Sequence, residues 1–362
     1  SCTSPAIVCH DCLSNPKVVC LNPYEYITST EMRREVFEGR EGYMNVGEAP
    51  GITPARNEHV TDPKNGELDM LFLFDHVGVD QEGSKWNTVP FEVRNLRARL
   101  ADQQEAVRNA GWASLFFCNH DQPRVVSRWG DDSDRESREL SAKAFGMLLH
   151  MHRGTPYIYE GEELGMTNAH FTTLEQYRDL ESINAYRQRV EEARCQSPES
   201  MMAALALIGR DNSRTPMQWD ASRYAGFTAP DAATEPWIGV NPNHVEINAA
   251  EEFDDPGSVY SFYKKLIAMR HNNATIATGE WNLVAADSEQ VYSFTRTSGD
   301  DTILVIVNLT DRTAQVPAEV AQLLEDGVGE SQVLLSTYDA VHSVKSVARG
   351  ELARWEGVVI QL

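Results

Sequence analysis

The 362-residue chain is 41% apolar, which is enough to build one large packed domain and a smaller one. Its 54 acidic and 32 basic residues give a net charge of −22, which disfavours binding to nucleic acids and to anionic membrane surfaces. No apolar run approaches the roughly 18 residues that a membrane-spanning helix needs. We therefore expect a globular, cytoplasmic protein with no membrane or nucleic-acid partner.

The first 23 residues differ from the rest of the chain in their cysteine content. Four of the six cysteines lie there: Cys2, Cys9, Cys12 and Cys20. Three of them could form a zinc knuckle with His10, but a single CxxC without a second matching pair is a weak zinc signal. We predict that residues 1–23 are a non-cognate or disordered terminal segment, and that the protein has no metal and no cofactor.

From Tyr24 onward, helical and strand-like patterns alternate. Helical spacing appears in ITSTEMRREVFEG, VRNLRARLADQQEAVRNAG, SRELSAKAFGMLLHMHRG and, later, SVYSFYKKLIAMRHNN. Four apolar runs separate or follow the first three helical patterns: YMNVGEAPG, ELDMLFLFDHVGVD, WASLFFCNHDQP and TPYIYEGEELG. This alternation predicts an α/β fold with parallel strands.

Each predicted strand ends in an acidic side chain: Glu48, Asp75, Asp121 and the run that begins at Glu160. The carboxyl ends of parallel strands meet on one face, where barrel enzymes recruit catalytic groups from several strands. Glycine-rich phosphate loops, which accompany open doubly wound sheets, are absent from the sequence. A closed barrel of this type has about eight strands, so the sequence predicts half of one.

Beyond residue 277 the pattern changes. The segments VYSFTR, TILVIVNLT and ARWEGVVIQL are short and rich in β-branched residues, which is typical of an antiparallel sandwich. The predicted organisation is therefore a partial (β/α)8 barrel in residues 24–276, followed by a C-terminal antiparallel β-sandwich domain in residues 277–362.

Carboxylates from separate strand ends, without a phosphate loop, are typical of glycoside hydrolysis. One carboxylic acid protonates the leaving oxygen while other carboxylates stabilise an oxocarbenium-like centre. Glu48 and Asp121 are the candidate pair.

Four motifs carry a family resemblance: VGEAPGIT, FFCNHDQPRVVSRWGDD, GTPYIYEGEELGMTN and GRDNSRTPMQWD. Together they resemble the α-amylase superfamily of glycoside hydrolases, in its oligo-1,6-glucosidase and α-glucosidase branch. The resemblance implies a (β/α)8 barrel with a C-terminal β-sandwich domain, in which this chain supplies strands 5 to 8.

The resemblance also assigns roles to individual residues. It implies that Glu48 is the general acid/base, and that Asp121 binds sugar hydroxyls and favours the distorted ring without attacking it. His120 would donate to the same sugar. Arg214 would help to form the glucose-binding subsite, and Arg124 would be a supporting ion-pair partner.

Lys85 and Glu181 resemble residues that contact the neighbouring sugar in relatives acting on isomaltose-type linkages. Trp129, Trp219 and Phe227 could offer faces for sugar stacking, although aromatic residues at such spacing are more often core. His150 and His152 lie in a helical pattern, and we expect them to be packing residues.

One departure from the family pattern changes the expected activity. The nucleophilic aspartate of the family lies in a GFRMD-like motif, which is absent here; Asp11 in VCHDCLS lacks the preceding arginine and strand. We therefore expect that the N-terminal half of the barrel is missing, that the isolated chain is an inactive fragment, and that activity needs the missing half.

Three other functions stay open at this level. A trehalose-6-phosphate hydrolase or a sucrose isomerase would share the barrel and both carboxylates, although the isomerase branch usually has arginines where this chain has DHVGVDQEGSKWN. A non-catalytic, glucosidase-like binding subunit would fit the absent nucleophile. The expected partner of the chain is a small oligosaccharide.

Overall fold

A computed structural model describes residues 29–65, 67–326, 332–338, 346–347 and 349–362. The predicted terminal segment, residues 1–23, and its cysteines lie outside the described residues. Within the described part of the chain, no helix is long and apolar enough to cross a membrane. The cytoplasmic location stays a prediction.

The regular elements are numbered here in chain order. The strands are β1 (Val46–Glu48), β2 (Met70–Phe72), β3 (Gln81–Glu82), β4 (Ser84–Thr88), β5 (Ala113–Leu115), β6 (Thr155–Pro156), β7 (Glu280–Val284), β8 (Val291–Ser298), β9 (Asp301–Asn308), β10 (Ala314–Gln315), β11 (Gln332–Ser336), β12 (Glu351–Leu352) and β13 (Gly357–Gln361). The α-helices are α1 (Ser29–Met32), α2 (Pro54–Thr61), α3 (Val93–Glu105), α4 (Val125–Arg128), α5 (Arg135–Met151), α6 (Leu180–Tyr186), α7 (Pro198–Ile208), α8 (Ala249–Glu252), α9 (Val259–Asn272), α10 (Ala274–Thr278) and α11 (Ala318–Asp326). Single turns of 3₁₀ helix occupy Asp75–Gly78, Glu162–Leu164, Leu174–Gln176, Arg210–Ser213 and Pro242–Val245, and π-helical turns occupy Arg33–Phe37 and Arg187–Glu192.

Four parallel strands form the sheet that carries the candidate site, in the order β1-β2-β5-β6. Gly47 lies opposite Leu71, which in turn lies opposite Ala113, so the carboxyl ends of these strands are aligned at one edge. Strands β3 and β4 lie between β2 and β5 in the chain and form a separate two-stranded sheet. All four predicted parallel strands are confirmed, each as a short run of two or three paired residues.

Among the described residues the longest helix is α5, whose apolar residues join one core cluster with residues of β5 and β9. The Asp134 side chain caps its first turn by accepting a hydrogen bond from the Ser137 amide, at 2.9 Å. Gly146 allows α9 to approach closely, because a Cβ atom at this position would lie 2.7 Å from the Tyr263 ring. The predicted helices in this region, α3, α5 and α9, are all confirmed.

The C-terminal sheet is antiparallel, with the strand order β11-β13-β9-β8-β7, and both of its faces are buried. Side chains alternate along β9: Ile303, Val305 and Val307 join the main core with α5, whereas Leu304 and Ile306 join a second core with β10, β12 and α11. The predicted antiparallel pairing is confirmed. The main core runs from the helices beside the parallel sheet into the C-terminal sheet without interruption.

His150 and His152 are packing residues, as predicted. Both are almost fully buried, and Nε2 of His152 lies 2.8 Å from the Tyr292 hydroxyl group. Burial lowers the pKa of His152 to about 3 and that of His150 to about 4, so both rings are neutral near neutral pH.

The neutral state of His152 predicts a pH-dependent stability. Between pH 6.5, where the free side chain titrates, and about pH 3, the unfolded chain binds a proton that the native state does not bind. The free energy of unfolding therefore falls as the pH falls through this window. In His152→Gln this contribution is absent, so the stability advantage of the wild type over the variant should shrink by about 1.4 kcal/mol between pH 7.5 and pH 5.5. Urea unfolding at the two pH values measures the difference; an unchanged difference would contradict the assignment.

Candidate active site

The carboxyl edge of the parallel sheet collects the polar residues that follow its strands. Glu48 is the last residue of β1 and is exposed, and Asp75 is exposed three residues after β2. Asp121 follows β5 at the end of the NHD stretch. The parallel register therefore brings the carboxylates predicted from separate strands to one edge of the sheet.

The NHD stretch is a tight polar turn. The Asn119 side-chain oxygen accepts a hydrogen bond from the Asp121 amide at 2.7 Å, and Asn119 also pairs with Gln122 in an isolated bridge. This turn leaves the His120 side chain largely exposed, with its Nε2 3.7 Å from Asp121 Oδ2. Asn119 thus shapes the turn, whereas the His120 side chain is largely exposed and the Asp121 side chain is partly buried.

Arg214 holds both the turn and its carboxylate. Its Nη2 donates to Asp121 Oδ1 at 2.7 Å, and its Nε donates to the His120 carbonyl at 2.7 Å. Its Nη1 lies 3.4 Å from Asp179 Oδ1. The three nitrogen atoms of the planar guanidinium thus contact Asp121, the His120 backbone and Asp179. Together these contacts fix the orientation of the Asp121 carboxylate.

Lys85 and Glu181 are brought together from distant parts of the chain. Lys85 Nζ donates to Glu181 Oε2 at 2.7 Å, and the ammonium lies 5.0 Å from the centre of the Trp86 ring. Burial lowers the pKa of Lys85, although the neighbouring Glu181 carboxylate opposes that shift. The two residues predicted to contact a second sugar thus form an ion pair with each other.

Arg210 and Asp179 also belong to this site, and sequence reasoning did not single them out. Arg210 Nε lies 3.0 Å from Glu181 Oε2 and 3.5 Å from Asp121 Oδ1, so it lies between the two predicted groups. The result is a chain of alternating charges, which we call the charge chain: Lys85, Glu181, Arg210, Asp121, Arg214 and Asp179. Their positions two to four residues from predicted residues were the only signal in the sequence.

The end of α7 positions the two arginines. The Asn212 side-chain amide donates to the carbonyls of Leu205 and Gly209, both at 3.0 Å, and so satisfies the end of the helix. Asp211 Oδ2 accepts from the Asp179 amide at 2.9 Å and thereby ties the start of α6 to the same segment. These buried contacts make the RDNSR stretch a rigid support for the charge chain.

The acidic run after β6 does not present all of its carboxylates to this edge. Glu160 is exposed, but Glu162 is buried and accepts a hydrogen bond from the Tyr263 hydroxyl at 3.1 Å. Burial raises the pKa of Glu162 to about 7. The sequence-based placement of this whole run at the strand ends is therefore wrong for Glu162, because the chain turns inward at Gly161, where φ is +84°.

Arg124 supports the segments around the site, but among the described residues it forms no ion pair. It is buried, and its guanidinium donates to the carbonyls of Glu160 and Ser213 and lies 5.1 Å from the centre of the Tyr159 ring. The expected carboxylate partner is thus replaced by carbonyl groups and an aromatic face.

The three candidate stacking residues separate into two groups. Trp129 is a core residue, stacked on Phe91 with ring centres 5.6 Å apart and donating from Nε1 to Asp80 at 2.9 Å. Trp219 and Phe227 are more than half exposed. Only the latter two are accessible to a ligand.

The family model described as "Alpha amylase, catalytic domain" matches residues 12–279, which is well over half of the chain. The chain belongs to the alpha-amylase family. The resemblance seen in the four sequence motifs is confirmed, and the parallel sheet followed by an antiparallel sheet agrees with the fold of this family, a barrel with a C-terminal β domain.

Individual relatives in the family are glucosidases and related hydrolases. The chain is 42% identical over 335 residues to an oligo-1,6-glucosidase of Parageobacillus thermoglucosidasius, covering 92% of this chain and 57% of the relative. It is 44% identical over 310 residues to an alpha-glucosidase of Pediococcus pentosaceus, covering 83% of this chain and 54% of the relative. The crystal structure of trehalose-6-phosphate hydrolase from Bacillus licheniformis matches with a TM-score of 0.82 and 38% identity, covering 92% of this chain and 58% of that one.

The chain thus spans between half and three fifths of the length of these family members. The comparisons do not establish the prediction that the N-terminal half of the barrel is missing: the family match starts at residue 12, and 92% of this chain aligns with 57% of the oligo-1,6-glucosidase. They also give no support to an inactive fragment or to a need for a further N-terminal half.

Proposed function

We propose that the carboxyl edge of the parallel sheet is the site of an α-glucosidase of the oligo-1,6-glucosidase type, which hydrolyses terminal α-glucosidic bonds in short oligosaccharides with retention. One observation carries the proposal: Asp121 is oriented by Arg214 at 2.7 Å on the edge at which β1 ends in Glu48. Glucosidase relatives at 42% and 44% identity support the same reaction class.

In this proposal each residue has a separate task. Glu48 protonates the leaving oxygen as its bond to the sugar breaks and a nucleophilic carboxylate forms the glycosyl–enzyme bond that retention requires; Glu48 then removes a proton from the water that breaks this second bond. Asp121 and His120 bind the hydroxyl groups of the glucose ring, and Arg214 keeps Asp121 aimed at that ring. The pre-aligned carboxylate stabilises positive charge as it develops in the transition state. No described residue is assigned the role of nucleophile.

The proposal extends to the architecture. The four parallel strands correspond to strands 5 to 8 of a (β/α)8 barrel, and the chain divides into a barrel part, residues 24–276, and a C-terminal β-sandwich domain, residues 277–362. The four-strand order and the start of the antiparallel sheet at Glu280 support this division.

The charge chain favours a neutral substrate over a phosphorylated one. Its three basic side chains each contact a carboxylate: Lys85 with Glu181, Arg210 with Glu181 and Asp121, and Arg214 with Asp121 and Asp179. A phosphate group would have to compete with these carboxylates for its cations, while the net charge of −22 repels it. A trehalose-6-phosphate hydrolase is therefore the second candidate, favoured only by relatives such as the one from Bacillus subtilis, at 39% identity.

Product analysis distinguishes these functions. We expect the protein to release glucose from isomaltose, and to act on trehalose 6-phosphate at least about tenfold more slowly in kcat/KM, because a phosphate would have to break an ion pair to reach any of the three cations of the charge chain. Faster release of glucose 6-phosphate would make the second candidate the function. Conversion of sucrose to an isomeric disaccharide would identify a sucrose isomerase, and sugar binding without any product would identify a non-catalytic subunit.

A further inference from the structure

Arg210 joins two groups of residues that would otherwise be separate. On one side, Glu181 Oε2 already accepts from Lys85 Nζ at 2.7 Å. On the other, Asp121 Oδ1 already accepts from Arg214 Nη2 at 2.7 Å. Arg210 Nε approaches the same two oxygen atoms, at 3.0 Å and 3.5 Å. Each carboxylate therefore has one short partner of its own and shares Arg210 with the other carboxylate.

Arg210 interacts electrostatically with both carboxylates, those of Asp121 and Glu181. Its Nε is buried and has no aligned hydrogen-bond acceptor among the described residues, although two carboxylate oxygens lie close to it. The side chain as a whole is one-third exposed, at 33%, so its charge lies at the surface of the site and not in the core. A guanidinium in this position attracts both carboxylates at once, and so sets the distance between them.

The backbone of Arg210 is well placed for such a task. The residue begins the 3₁₀ turn Arg210–Ser213, which Gly209 separates from α7, and Asn212 and Asp211 in that turn are fully buried. Asp211 anchors the start of α6, which carries Glu181 as its second residue. The turn therefore positions Arg210 directly. Through Asp211 it also positions α6, the helix that carries Glu181.

We propose that Arg210 is a positioning residue that fixes the Lys85–Glu181 pair relative to Asp121, and thereby makes the site specific for a substrate with a second sugar. The inference rests on the proposed function, in which Asp121 binds the first glucose ring, and on the predicted contact of Lys85 and Glu181 with the next sugar. Asp121 keeps Arg214 when Arg210 is removed, so binding of the first ring does not depend on Arg210. The relative position of the second-sugar pair does depend on it.

Calorimetric titration of the full chain with isomaltose and with methyl α-glucoside tests the inference; every protein compared carries Glu48→Gln, which slows hydrolysis so that the heat of binding is measured. In Arg210→Met, we expect the affinity for isomaltose to fall by about tenfold, which corresponds to about 1.4 kcal/mol, while the affinity for methyl α-glucoside changes by less than about twofold. Arg210→Lys, which retains the charge, should recover part of the loss. Equal melting temperatures of the variants show that the fold is intact.

Arg135→Met is the matched control, because Arg135 is an exposed arginine that forms an ion pair with Glu139 at 2.8 Å in α5. It should bind both sugars as the unaltered Glu48→Gln protein does. If Arg210→Met weakens both sugars equally, or neither, Arg210 has no such positioning role, although the proposed function stands. If the chain with Arg210 in place binds neither sugar, the proposed function fails and this inference fails with it.

Discussion

Replacing Glu48 by glutamine is expected to lower kcat/KM for isomaltose by about 10²- to 10⁴-fold, the range typical of losing a general acid/base. Glutamine has nearly the same shape but cannot give a proton to the leaving oxygen. The loss should be smaller for p-nitrophenyl α-glucoside, because nitrophenolate is a stable leaving group that needs little protonation. Steady-state rates with the two substrates measure the difference.

The matched control for this variant is Glu41→Gln, because Glu41 is an exposed glutamate seven residues before Glu48. Its rates should equal those of the wild type. A Glu48→Gln protein with unchanged rates, or with the same loss for both leaving groups, would contradict the assignment of Glu48 as the group that protonates the leaving oxygen.

Replacing Asp121 by asparagine should lower kcat by about 10²- to 10³-fold, with a smaller change in KM. The charge of Asp121 is useful mainly when positive charge develops on the sugar, so its loss affects the transition state more than the bound substrate. Arg214 would keep its contact with Asp179, at 3.4 Å, so the variant should fold. Separate measurement of kcat and KM for isomaltose tests this expectation.

Asp102→Asn provides the comparison, because Asp102 is an exposed aspartate in α3 whose ion-pair partner is Arg99, at 3.6 Å. This variant should retain wild-type kcat and KM. If Asp121→Asn raised KM with kcat unchanged, Asp121 would be an ordinary binding residue and would have no special role in the transition state.

The strand ends could be predicted from the sequence because parallel strands impose a simple geometry. An apolar run that stops at a carboxylate places that carboxylate at the edge of the sheet, and Glu48 and Asp121 follow this rule. The rule failed at Glu162, where a glycine in a left-handed conformation turns the backbone and buries the side chain. The pattern of charged residues in the sequence does not reveal a local backbone reversal of this kind.

The charge chain could not be predicted because it joins residues far apart in sequence. Lys85 and Glu181 are separated by 96 positions, and Arg214 and Asp121 by 93. The sequence contains many arginines near acidic residues, and spacing alone does not show that Arg210 and Asp179 face this edge. Their role follows from the buried Asn212 and Asp211 contacts that fix the end of α7.

The strands of the C-terminal sheet could be predicted from the sequence, but the burial of both its faces could not. Its strands were predicted from short β-branched runs, and the antiparallel order follows. Its second buried face was not predicted, because burial on both sides turns the alternating pattern into a nearly continuous apolar run such as TILVIV.

The most direct test of the central claim is proton NMR of the glucose first released from isomaltose. The account predicts that the wild-type protein releases α-glucose before it equilibrates with the β anomer, since hydrolysis proceeds with retention, and that the signal is lost in Glu48→Gln. Initial release of β-glucose, or the same release of α-glucose by Glu48→Gln, would contradict a retaining α-glucosidase site at this edge of the sheet.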